Sequence, residues 1–204
     1  MDSSNISQLY CAGSKATLSV AATWLQDELT TIHLEIGSSR GDFLCSLAEV
    51  NRNHRFIGVE IDQAKCFLAV EKAVRLKLGN TIFVQNEGYD FVSKNIPNGS
   101  IAFLHVYFPT PFVVAPFFFE KLGNEKFFLE AYRVLRPSGI FRIVTDHEDY
   151  FSEMQAALER SKFWFTEWTS PGGNIPEGYY VNTPLERKFR REAKKVYYFN
   201  LVRS

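Results

Sequence analysis

The chain has 204 residues, 46% of them hydrophobic and 23% charged, and its net charge is zero. That is the length of one domain with a core of its own, and 19 phenylalanines argue against a disordered chain. No run of 18 apolar residues occurs, so no membrane-spanning helix is expected, and zero net charge is unusual for a nucleic-acid binder.

Residues 1–16 are polar and irregular and read as a flexible start. They lack the basic and apolar regions of a signal peptide. Cys11, Cys45 and Cys66 are odd in number and widely spaced, as expected of reduced thiols in a cytoplasmic protein. A helix is predicted over 16–28, with Leu18, Ala21, Ala22 and Leu25 on one face. A strand follows over 31–36, then the turn Gly37-Ser38-Ser39-Arg40-Gly41, then a helix over 42–50 with Phe43, Leu44, Leu47 and Ala48 inward. The second strand, 55–61, carries Glu60 near its end. A helix over 63–78 should bury Phe67, Val70, Val74 and Leu78, with Gly79 closing it. The third strand, 81–85, leads to Glu87, a short helix over 90–95 and a turn at 97–99.

The fourth strand, 100–108, is almost wholly apolar, which suits a central strand covered on both faces. Pro109-Thr110-Pro111 breaks the chain, and the run 112–119 that follows is apolar. A helix over 124–135 buries Phe127, Phe128, Ala131, Val134 and Leu135. A turn at 136–139 precedes the fifth strand, 139–145. Asp146 is placed to cap a helix over 147–161. Strand six spans 162–168, a Gly/Pro-rich loop 170–178, a short helix 183–191, and strand seven 195–202. Alternating strands and helices define an α/β fold: a doubly wound, mostly parallel seven-stranded sheet, with helices on both faces and an antiparallel pair at one edge. The whole chain reads as a single domain.

In such a sheet, ligands bind beyond the carboxyl ends of the strands. Polar residues gather there: Glu35 and the glycine turn, Glu60, Glu87, Thr110 and Asp146. The glycines permit positive φ and close approach, and the helix start offers N–H groups to a ligand. A strict G-x-G-x-x-G is absent, and Glu35 would repel a pyrophosphate, which disfavours a nicotinamide dehydrogenase. An acid at that point suits an amine-bearing or cationic ligand. Glu60 is placed for a ribose diol, and Glu87 for an adenine amine. No nucleophile motif such as G-x-S-x-G occurs. His33, His54, His105 and His147 lie far apart in sequence, and no metal is expected. Residues 186–203 hold seven basic and two acidic side chains, a net +5 on a body of −5. A basic segment of that kind, with Arg190 and Arg191 at its centre, is suited to phosphate.

The form E-x-G-x-x-x-G, Phe56-Ile57-Gly58-Val59-Glu60, Phe108-Pro109-Thr110-Pro111-Phe112, Leu135-Arg136-Pro137-Ser138-Gly139, Thr145-Asp146 and Thr183-Pro184-Leu185-Glu186 occur in order. Together they resemble the bacterial tRNA (guanine-N7)-methyltransferase family from about residue 31 to the end. The resemblance implies the seven-stranded methyltransferase fold, S-adenosylmethionine (SAM) as cofactor, and tRNA as partner. It carries the cofactor residues to Glu35, Gly37, Gly41, Glu60, Glu87 and Thr110, and the guanine site to Asp146, Thr183 and Glu186. Thr110 and Asp146 become the candidate catalytic residues. Two departures stand out. Thr110 replaces the aspartate of the family's F-P-D-P-W, and 112–119 replaces a basic segment. The alternative is a relative that binds SAM, RNA or protein without catalysis, or acts on another nucleophile. In that case 112–119 could dock a second copy or a protein partner.

Overall fold

A computed structural model describes residues 15–109, 125–161, 165–171 and 183–203. Most of the polar start of the chain, Thr110 and the apolar run 112–119 lie outside the described residues. The elements in order are α1 (Lys15–Leu25), β1 (Ile32–Ile36), α2 (Asp42–Val50), β2 (Arg55–Glu60), α3 (Gln63–Arg75), β3 (Thr81–Gln85) and α4 (Gly88–Asn95). They continue as β4 (Ile101–Tyr107), α5 (Glu125–Val134), β5 (Leu135–Thr145), α6 (Glu148–Ser161), β6 (Phe165–Pro171), α7 (Pro184–Arg191) and β7 (Tyr197–Arg203).

The seven strands form one sheet in the order β3-β2-β1-β4-β5-β7-β6. The pairs β1–β2, β1–β4, β2–β3 and β4–β5 are parallel. β7 is antiparallel to both β5 and β6, so it lies between them and β6 takes the edge. The order reverses between β1 and β4, and a crevice opens beyond their carboxyl ends at such a switch point.

Alternation along the strands gives each face its own core. Ile32, Leu34 and Ile36 of β1 join Ile57, Leu104, Phe141 and Phe199 under α1, α4, α5 and α6. On the opposite face, Phe56 and Phe83 pack under Phe43, Leu44 and Leu47 of α2 and Cys66, Ala69, Val70 and Ala73 of α3.

Four local expectations are corrected. α3 buries Cys66, Ala69, Val70 and Ala73, while Phe67 is 44% exposed, because small side chains let the helix lie close on the sheet. It closes through Lys77, which takes a left-handed φ of 53°, with Leu78 N–H donating to Ala73 O, and not through Gly79. The expected turn at 136–139 is absorbed into β5 as a bulge. Ile101 pairs with Leu135 and Phe103 already with Ile140. The cap of α6 is His147, whose Nδ1 accepts from Tyr150 N–H at 3.4 Å, and not Asp146.

The fold also brings together histidines that are distant in sequence. β1 and β4 are neighbours, and they bring His33 and His105 together with His54. His33 Nδ1 lies 3.2 Å from His105 Nε2, and His33 Nε2 lies 3.1 Å from His54 Nδ1. The row stacks among Phe56 and Phe103. Burial pushes His33 down to about 3, helped by His54 and by Arg142 and Arg136, and holds His105 well below its ordinary 6.5. These are neutral imidazoles that use their ring nitrogens on one another.

Candidate active site

β1 delivers Glu35 to the rim of the switch point, and the chain turns sharply after Ile36. Gly37 and Gly41 have φ of 77° and 69°, and Ser39 shares that region at 48°. The turn is held from below. Gly37 and Ser38 N–H donate to Val59 O at 2.8 and 3.0 Å, and Gly41 N–H donates to Ser38 O at 2.8 Å. Ser39 N–H donates to Glu60 Oε2 at 2.8 Å, and Asp62 N–H donates to Glu60 Oε1 at 2.9 Å. These four turn N–H groups are therefore spent within the protein, and Glu60, expected at a ribose, pins the turn as well. Each of its oxygens keeps a second lone pair for a hydroxyl. Glu87 caps α4, its carboxylate accepting from Tyr89 and Asp90 N–H at 3.1 and 2.9 Å.

A cleft of about 360 Å³ opens over this turn. Glu35, Gly37, Ser38 and Ser39 form one wall, with Asp42 and Phe43 at the start of α2. Tyr107 and Phe108 at the end of β4 form the floor between the walls, and residues 183–185 at the start of α7 form the other wall. Thr183 and Pro184 are a cap residue followed by proline at the first helical position, which starts α7 sharply there. Arg187 N–H donates back to Thr183 O at 3.0 Å. The fold thus faces the Glu35 turn with a segment some 150 residues further along the chain.

Of the expected site residues, Glu35, Gly37 and Thr183 line this cleft. Gly41 lies behind it, where a Cβ would stand 2.7 Å from Phe83 Cζ. Glu60 and Glu87 sit at the neighbouring strand ends. Asp146 follows Thr145 at the end of β5 and is half-buried. Glu186, Arg190 and Arg191 lie on α7, and Arg191 is exposed. Ser38, Ser39, Asp42, Phe43, Tyr107, Phe108, Pro184 and Leu185 also line the cleft and are not among the expected site residues. Their positions at the strand ends and helix starts of a switch point were the available signal.

The lining has unmet polar demand. Glu35 Oε2 and Ser38 Oγ are buried and have no hydrogen-bond partner among the described residues. Burial, with Glu60 and then Asp42 adding repulsion, holds the Glu35 carboxyl well above its ordinary 4.5. A Cβ on Gly37 would meet nothing within 4 Å, so the turn is open on that side. The arrangement fits a ligand that brings hydrogen-bond donors and a positive charge to Glu35. Among the described residues, no group of histidines, cysteines and acids could hold a metal ion.

A glycine turn between a strand and a helix at a switch point, with acids at successive strand ends, defines an α/β protein with a nucleotide-cofactor cleft. Comparison with known proteins makes this specific. Residues 30–199 match the family described as "Putative methyltransferase", and the chain belongs to that family. It is 27% identical over 175 residues to the tRNA (guanine-N(7)-)-methyltransferase of Rubrobacter xylanophilus, covering 84% of this chain and 76% of the relative. It is 34% identical over 125 residues to the protein of the same name from Chloroflexus aggregans, covering 61% of this chain and 55% of the relative. The latter match spans about half the relative's length. The structure of the antibiotic-resistance methyltransferase Kmr superposes with a TM-score of 0.64 at 13% identity, covering 95% of this chain and 97% of that one. At that identity the likeness speaks for the fold alone.

Proposed function

We propose that this protein transfers a methyl group from SAM to N7 of a guanine in tRNA. The observation that carries the reading is the cleft itself, in which Glu35 and the glycine turn face Thr183 across Tyr107 and Phe108. The named function of the relatives supports the choice of base and RNA.

When bound, SAM supplies a methyl group on a sulfonium, which leaves as a neutral thioether. Glu35 and Ser38 hold its polar end through the two buried oxygens that lack partners. Glu60 and Glu87 meet the ribose and adenine at the next strand ends, and Gly37 and Gly41 keep the turn open. Guanine N7 carries a free lone pair, so no side chain has to remove a proton before attack. The protein's work is orientation. Thr183, Glu186 and Asp146 hold the guanine edge, where N1–H and N2–H₂ are donors that adenine does not offer to carboxylates. Thr110 supplies a neutral hydrogen-bonding group where the family places a carboxylate. Arg190 and Arg191, with exposed Arg187 and Lys188 on the same helix, meet phosphates beside the cleft.

The test is transfer of labelled methyl from SAM to unmodified tRNA, followed by mapping of the modified base. Methyl at guanine N7, lost in Asp146→Ala and raised on the order of 10-fold in Thr110→Asp, is the expected result. SAM binding without transfer in either wild type or Thr110→Asp would leave a binding protein in place of an enzyme.

A further inference from the structure

Among the described residues of α7, Phe189 is the one buried aromatic ring. α7 reads Pro184-Leu185-Glu186-Arg187-Lys188-Phe189-Arg190-Arg191, and charge dominates it. Leu185 is 41% exposed and faces the cleft. Phe189 is buried, and it packs with Val144, Val196 and Tyr198 beside Tyr107 and Phe108. Its ring meets the Phe108 ring edge-on, with centroids 5.2 Å apart. Lys194 Nζ lies 4.7 Å from the Phe189 ring centroid, and Lys194 N–H donates to Phe189 O at 3.0 Å. The end of the helix therefore also converges on Phe189.

Phe108 is fixed by its backbone. Its φ is 49°, in the left-handed region that a phenylalanine rarely adopts. Its N–H donates to Val144 O at 2.7 Å, which ties it to β5. The direction of its Cα–Cβ bond is thus set by the sheet. Phe189 does not line the cleft, whereas Phe108 and the first turn of α7 do.

We propose that Phe189 is a positioning residue. Through Phe108 it sets the spacing between the end of β4 and the turn at 183–185. The inference rests on the functional reading above only in taking that turn as the side that meets the substrate base. The opposite wall belongs to β1 and α2 and is pinned independently by Val59 O and Glu60. Loss of the Phe189 ring therefore acts on the substrate side and spares the cofactor side.

The test compares the full chain with Phe189→Ala, Phe189→Leu, Phe108→Ala and the double alanine variant. S-adenosylhomocysteine (SAH) affinity, KM and kcat for unmodified tRNA, and hydrogen exchange of the α7 amides are measured in each. Phe189→Ala should raise KM for tRNA about 3- to 10-fold, the scale of one aromatic pair, and change SAH affinity by less than about 2-fold. Phe189→Leu should recover most of the loss. The double variant should lose less than the sum of the two single alanine changes, because the ring pair is already broken in each of them. Phe108→Ala should also speed exchange along α7 without altering the sequence of that helix. Equal losses in SAH and tRNA binding, or unchanged α7 exchange in Phe108→Ala, would overturn the proposal. If Phe189→Ala does not fold, Phe189→Leu and Phe108→Ala carry the same comparison. If the wild type methylates no tRNA, the functional reading fails, and the exchange measurement decides the role of Phe189 by itself.

Discussion

Replacing Glu35 by glutamine should move stability and ligand binding in opposite directions. The side chain is 3% exposed, and burial with the nearby Glu60 and Asp42 raises its carboxyl well above 4.5. The folded protein therefore holds this proton more tightly than the unfolded chain does. That contribution is fully present below pH 4.5 and is lost as pH rises toward the folded value, at about 1.4 kcal/mol per pH unit. Glutamine has no proton to lose, so the stability of Glu35→Gln relative to wild type should climb with pH above 4.5. Chemical denaturation at about pH 5 and about pH 8 measures this arm. Binding should go the other way. An ammonium at Oε2 meets a carboxylate in the wild type and an amide in the variant. The loss is about 1.5–3 kcal/mol, or roughly 10- to 150-fold in SAH affinity. Wild-type binding should also release a proton, because the cation favours ionised Glu35. Calorimetry in two buffers of different ionisation heat detects that release. Wild-type SAH affinity in Glu35→Gln would remove Glu35 from the cofactor site, and a stability deficit that deepens with pH would refute the burial argument.

Three further outcomes are expected. Gly58→Ala would place a Cβ 2.4 Å from Phe83 Cδ1 and 3.0 Å from Ser38 Cβ. The fully buried ring has little room to yield, so thermal melts should show a loss of about 1–3 kcal/mol, and SAH should bind more weakly as Ser38 is displaced. His33 and His105 are depressed below 6.5, so the stability they share is complete above that pH and falls as acid is added. His33→Phe should flatten the acid limb of a stability-against-pH curve by about 1.4 kcal/mol per pH unit between 6.5 and about 3, and an unchanged slope would show that the row is not the source. Replacing Arg190 and Arg191 together by alanine should weaken tRNA binding and lower its salt slope by about one for each phosphate that is no longer neutralised; an unchanged slope would mean that these arginines do not meet RNA.

The strands and the switch point are legible because their signals are local. β2 and β3 are β-branched and aromatic runs bounded by polar turns, and β4 is apolar on both faces because it is central. The glycine turn is legible because only small residues pass through its backbone angles cheaply. What the sequence hides depends on contacts across the sheet. The histidine row is invisible in spacing, since His33 and His105 are 72 residues apart and meet only because β4 returns beside β1. The inward face of α3 is hidden because helical periodicity favours the large apolar residues, whereas the close approach of helix to sheet favours Ala69 and Ala73. Lys77 takes the helix-closing angle two residues before the glycine that local preference would choose.

The two walls of the cleft differ in how they are held, and this explains their unequal legibility. The Glu35 wall is a short turn whose N–H groups end on Val59 O, Glu60 and Ser38 O, so its motif and its fixing lie within 26 residues of one another. A change at Glu60 consequently acts twice, once on any ribose it meets and once on the Ser39 N–H that it holds. A turn with so many internal bonds has few alternatives, and its sequence is constrained in step with its geometry. The α7 wall is tied to the sheet through contacts distant in sequence. It depends on Phe189 packing against Phe108 and Val144, which the sheet brings to it from far along the chain. A helix with one buried ring and many solvated charges reads in sequence as a surface helix. Its place opposite Glu35 follows only from the strand order that sets β7 beside β5 and leaves the first turn of α7 at the end of β4.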